Sequence, residues 1–106
     1  MSNLTEDEIN TLKWKIKSAF AEVSDNYKQK LLYNLLNASK TGNQGKYFEI
    51  LLRAMNANLK DNKEFQDFAN ELNEKYNKIN NTNFEKFANS IILGIMASSK
   101  NKTGGN

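Results

Sequence analysis

Apolar residues at helical spacing run almost the full length of the chain, and no proline interrupts them. Residues three and four apart share one face of an α-helix, so this pattern predicts amphipathic helices packed on one another, not strands. Ile9, Leu12, Ile16, Phe20 and Val23 form the first stripe; Tyr27, Leu31, Leu32, Leu35 and Leu36 form the second. The third, Phe48, Leu51, Leu52 and Met55, is widened by Tyr47, Ile50 and Ala54, which predicts a central helix over roughly 44–58. Phe65, Phe68, Ala69, Leu72, Tyr76 and Ile79 make a regular fourth stripe. The fifth, Phe84, Phe87, Ala88, Ile91, Ile92, Ile95 and Met96, is apolar on more than one side and predicts a second central helix.

The stripes begin and end at recognisable signals. Thr5 to Glu8, Asp61 to Glu64 and Thr82 to Glu85 each read as a capping box, in which a side chain accepts the N–H three residues on and an acidic side chain answers it. Ser24-Asp25 separates the first two helices, and Thr41 to Gly45 separates the second from the third. Gly42 suits the left-handed position that ends a helix, and Asn43 suits the N-cap of the next. Links this short predict sequence neighbours packed antiparallel. The expected molecule is a single all-α bundle of about five helices over 1–99, with a disordered tail over 100–106.

At 106 residues the chain is one domain by length. It has no Cys and no His, so disulfides, thiolate or imidazole metal sites and hydrolytic triads built on either residue are excluded. No catalytic constellation is visible; the expectation is a protein that is not an enzyme and takes no cofactor or metal. No apolar run approaches the roughly 18 residues of a membrane span. The polar, acidic start "MSNLTEDEI" is unlike a secretory signal, so the expected location is cytoplasmic. The 15 Lys and Arg exceed the 12 Asp and Glu by three, a mild surplus compatible with a polyanionic partner.

Four features are candidates for function. Gly42, Gly45 and Lys46 faintly resemble a phosphate-cradling loop, but the two glycines are too close and Tyr47 replaces the hydroxyl residue that would hold magnesium. Lys40, Lys46 and Arg53 make either a cationic edge for nucleic acid or an ordinary solvated face. Trp14 falls about 140° from Ile9 of the core stripe at 100° per residue, with Lys13, Lys15 and Lys17 nearby. It packs under a loop of its own domain, contacts another protein, or stacks on a nucleic-acid base. Glu64, Asp67, Glu71 and Glu74 line one helix face, which reads as solvated or as a dock for a basic partner.

Two stretches also resemble a known family. "KLLYNLLNASKTGNQGKYFEILLRAMNA" (residues 30–57) and "NFEKFANSIILGIMAS" (residues 83–98) are similar to the C-terminal helical region of the large subunit of type I-B CRISPR effector complexes. The likeness lies in a Leu-rich helix ending in Leu-Asn-Ala and a short basic, glycine-bearing link. It continues in the Phe48, Leu51, Leu52, Arg53 helix and a final helix with Phe87-Ala88 and Leu93-Gly94. That region is also made as a free protein, the small subunit of the Cascade complex. The resemblance implies a non-catalytic subunit, present in more than one copy, beside the backbone subunits, the large subunit and the guide RNA. It would help hold the guide RNA–target DNA heteroduplex and the displaced strand by phosphate contacts without base specificity. Lys13, Lys17, Lys40, Lys46 and Arg53 are then candidates for phosphate contact, and Trp14 for docking to a neighbouring subunit. Two other readings compete. One is a small phage or plasmid protein–protein adaptor that uses Trp14 and the acidic face. The other is a helix-turn-helix DNA reader, disfavoured because the helix after Thr41–Asn43 is too apolar to read bases.

Overall fold

A computed structural model describes residues 4–76 and 79–99. These form five helices, α1 (Glu6–Ala19), α2 (Asp25–Lys40), α3 (Gln44–Leu59), α4 (Lys63–Tyr76) and α5 (Asn81–Ser98), with no strand among the described residues. The all-α bundle expected from the apolar stripes is the fold observed. The tail expected over 100–106 lies outside the described residues.

Local signals set most of the boundaries. The Thr5 hydroxyl accepts from the Glu8 N–H at 3.1 Å, and the Glu8 carboxylate accepts from the Thr5 N–H at 2.9 Å, completing the first box. α2 ends in a paired turn: the Gly42 N–H donates to Ser39 O and the Asn43 N–H to Ala38 O, each at 3.0 Å. Gly42 takes φ +69°, the left-handed region that glycine enters most cheaply. Asn43 then accepts from the Lys46 N–H at 3.0 Å and starts α3 at once. Gly45 lies inside α3, so the glycines serve a helix–helix turn and no phosphate loop exists.

The other two boxes are displaced by one and two residues. Asn62, not Asp61, precedes α4, with its Oδ1 3.4 Å from the Phe65 N–H. α5 is capped by Asn80, which accepts from the Asn83 N–H at 2.9 Å, rather than by Thr82. The earlier start buries Asn83, whose Oδ1 accepts the Leu4 N–H at 3.1 Å and ties the start of the chain to α5. A tertiary contact therefore chose among several adequate local caps.

Helix α5 is the central element. It packs along α1 and α2, and its rings meet those of α3 and α4: Phe87 stacks on Phe48 at 5.1 Å and on Tyr76 at 5.0 Å. Tyr47 stands edge-on to Phe84 at 5.4 Å, and its hydroxyl donates to Ala88 O at 2.9 Å. Of the sequence neighbours expected to pack antiparallel, α2–α3 and α3–α4 do, whereas α1–α2 and α4–α5 are joined by short links without packing along one another. The closest pair is α1 with α5, distant in sequence and parallel. Leu4 meets Asn83, Ile9 O accepts from the Ser90 hydroxyl at 2.8 Å, and Lys13 O lies over Gly94. The stripe residues Tyr27, Leu36 and Met96, expected inside, are exposed. Each lies at the edge of its stripe, where no further helix covers it.

Candidate functional site

Lys28 is the most unusual side chain of the bundle, because it is 1% exposed and charged. It falls in phase with Leu31 and Leu35 on the buried stripe of α2. Its ammonium donates to Phe20 O and to the Ser98 hydroxyl, both at 3.1 Å, and lies 3.5 Å from an Asp25 oxygen. Phe20 O is at the C-terminal end of α1, where helix carbonyls favour a cation. Lys28 thus ties the end of α1, the start of α2 and the end of α5 together. With all of its donors engaged in this way it is a structural group and not a free base.

A groove runs between the antiparallel helices α2 and α3. Asn34, Ile50 and Arg53 line both of its connected parts. Tyr27, Lys30, Leu31 and Ala54 complete a smaller part of about 180 Å³. Asn37, Ala38, Thr41 and Lys46 complete a larger one of about 410 Å³. No carboxylate lines either part. The nearest one is Glu49, which the sequence reading passed over. It is 3.1 Å from the Arg53 guanidinium and 4.0 Å from the Lys46 ammonium. Glu49 stands three residues after Lys46 and four before Arg53, a spacing at which helical side chains meet, so the signal was present in the sequence. These are exposed pairs, worth about 1 kcal/mol or less, and both cations can leave Glu49 for a stronger anion.

The five sequence-predicted cations fall in two places. Lys46 and Arg53 line the α2–α3 groove, and Lys40, exposed at the last position of α2, adjoins Thr41 at the same end. Lys13 and Lys17 stand on α1, which packs along α5, and both are half-buried. The Lys17 ammonium sits 4.3 Å from the centre of the Trp14 ring. Trp14 itself is 58% exposed, so among the described residues no loop covers it, against the reading that packs it under one. The acidic face of α4 is partly paired within the molecule. Glu71 meets Lys15 of α1 at 3.6 Å and Lys75 at 3.9 Å, and Asp67 meets Lys63 at 3.1 Å. No group of three or more metal-ligating side chains occurs among the described residues. Nor is any helix among them long and apolar enough to cross a membrane.

No protein-family model, curated protein or solved structure matches the chain.

Proposed function

We propose that the chain is the non-catalytic small subunit of a type I CRISPR interference complex of the Cascade kind, working in the cytoplasm. In this reading it lines the complex and holds the guide RNA–target DNA heteroduplex and the displaced strand through phosphate contacts with no sequence preference. The sequence resemblance over residues 30–57 and 83–98 supports it, as does a five-helix bundle in which those residues form α2, α3 and α5. The observation that carries it is that Lys46 and Arg53 line one groove that no carboxylate lines, with Lys40 exposed beside its lining residue Thr41. Guide pairing supplies sequence recognition, so the protein needs only spaced cations and leaves cleavage to a recruited nuclease. Lys13 and Lys17 give a second, smaller cationic area on α1, and Trp14 beside them is the docking residue toward a neighbouring subunit.

The test is an R-loop assay with the assembled complex, using a Lys40→Glu, Lys46→Glu, Arg53→Glu triple variant. The expected result is loss of stable R-loops with assembly intact, and weak single-strand binding by the free protein that fades with salt. Three phosphate contacts correspond to a log–log salt slope of about −2. Unchanged R-loop formation, together with no DNA binding by the wild type at low ionic strength, removes the nucleic-acid role.

The exposed Trp14 favours a second reading, a protein–protein adaptor with no nucleic-acid contact. A pull-down discriminates the two. Co-purification with CRISPR backbone proteins supports the first reading, and one unrelated partner lost on Trp14→Ala supports the second.

A further inference from the structure

We infer that the α2–α3 groove is the seat of a single polynucleotide strand, with Lys30, Lys46 and Arg53 on its phosphates and Tyr33 stacked under a base. The inference rests on the nucleic-acid reading above and extends it to Lys30 and Tyr33. On α2, Asn26, Lys30, Tyr33, Asn37 and Lys40 recur at intervals of four and three, and all five are exposed. Lys30 and Asn37 of this stripe line the groove together with Arg53 and Lys46, and Tyr33, between them in sequence, stands outside its rim on the exposed face of α2.

The charge there is one-sided. Lys30, Lys40, Lys46 and Arg53 are set against the single carboxylate of Glu49, a surplus of three positive charges. Lys30 and Lys40 make no ion pair among the described residues. A chain with a phosphate at every residue is the partner that repays such a row of cations.

Tyr33 decides between kinds of polyanion. It is 68% exposed and makes no ring contact with another described aromatic residue. An aromatic face beside cations gains from stacking on an unpaired base of any identity. In a duplex the base faces are already stacked on one another and are closed to such a side chain. The amides of Asn34 and Asn37, inside the groove, both donate and accept hydrogen bonds, which suits base edges and sugar as well as phosphate. An acidic peptide helix would instead need apolar pockets for its anchors. The apolar lining, Tyr27, Leu31, Ala38, Ile50 and Ala54, is interleaved with Lys30, Asn34, Asn37, Lys46 and Arg53 and forms no separate pocket.

The experiment is fluorescence anisotropy of the full-length protein with a labelled oligothymidylate and with a labelled duplex at low ionic strength. The oligothymidylate should bind more tightly, and poly-glutamate should displace it poorly. Lys30→Glu with Arg53→Glu should weaken binding at least tenfold and flatten the salt slope by more than 1. Tyr33→Ala should weaken it about tenfold, and Tyr33→Phe should restore it. Lys60→Glu with Lys86→Glu makes the same change in net charge away from the groove and should have little effect; far-UV circular dichroism checks that each variant is folded. If the groove variants bind as the wild type does, the site assignment is overturned while the nucleic-acid reading stands. If the duplex binds better, or poly-glutamate displaces the strand as well as free oligothymidylate does, the single-strand assignment is overturned. If the wild type binds neither nucleic acid, the nucleic-acid reading itself falls.

Discussion

A lysine inside a small helical bundle survives only because its charge is answered on every side. The Lys28 ammonium meets two oxygen acceptors at 3.1 Å and a carboxylate at 3.5 Å. Asp25 keeps access to water, so deleting the Lys28 side chain costs through the cavity it leaves and the donor it takes from two buried oxygens, about 3 kcal/mol. Lys28→Ala is therefore expected to lower stability by about 3 kcal/mol or more in urea unfolding. Lys28→Met, which keeps the aliphatic volume, should lose less. If Lys28→Ala unfolds at the wild-type urea midpoint, the tie between α1, α2 and α5 is not structural. The stripe read from the sequence runs through Tyr27 and misses Lys28, whose phase with Leu31 and Leu35 is the one available signal, and phase cannot say what accepts its protons. Phe20 O is eight residues away and the Ser98 hydroxyl seventy, and only the fold brings them together.

The parallel contact of α1 with α5 depends on a missing side chain. A Cβ at Gly94 would fall 2.7 Å from Lys13 O and 2.8 Å from Ile16 Cγ2. In an open helix Gly→Ala gains about 1 kcal/mol. Here the added methyl presses on backbone and on a buried β-branched side chain, neither of which can swing away, and overpacking costs typically 1–3 kcal/mol. Gly94→Ala should destabilise the bundle on balance, read as a lower thermal midpoint. Gly45→Ala is the matched control. Its Cβ would meet only Asn43 Oδ1 at 3.8 Å, so it should leave the midpoint unchanged or raise it slightly. A Gly94→Ala protein as stable as the Gly45→Ala one would mean that the two helices do not approach as closely as this. The five helices themselves were readable from stripes and caps, since both are local. Their pairing was not, because short links speak only for sequence neighbours, and α1 takes its main partner from the far end of the chain. The displaced cap at Asn80 has the same origin: several residues could open α5, and the contact of Leu4 with Asn83 chose between them.

Across the whole molecule, function and stability draw on different sides of the same helices. The outer flanks of α2 and α3 carry the cations, and their inner flanks meet the aromatic cluster on α5. The sequence made Lys40, Lys46 and Arg53 visible as neighbours through a turn and a helix face. It hid Lys30, because its nearness to Arg53 exists only once α2 and α3 lie antiparallel, and with it the use of Tyr33, three residues on. The cluster on the inner side makes a prediction for the bundle as a unit. Burial pushes the Tyr47 phenol far above its ordinary value near 10, and burial, then the carboxylates of Glu8 and Glu71, raise Tyr76 as well. An acid whose folded pKa is raised keeps its proton in the native state after the unfolded chain has lost it. Its contribution is complete below pH 10 and declines as pH rises above that value, because the unfolded state then binds fewer protons than the native one. Stability should therefore hold level from neutral pH to about 9 and fall beyond 10. The checking measurement is tyrosinate absorbance followed together with circular dichroism. Tyr47 should ionise only with the loss of helix and Tyr76 later than the exposed Tyr27 and Tyr33, and Tyr47→Phe should abolish the last ionisation. It should also cost about 1 kcal/mol at neutral pH through the lost bond to Ala88 O. Ionisation of all four tyrosines near pH 10 with the helices intact would show that Tyr47 and Tyr76 are open to solvent and that α3, α4 and α5 do not close over them.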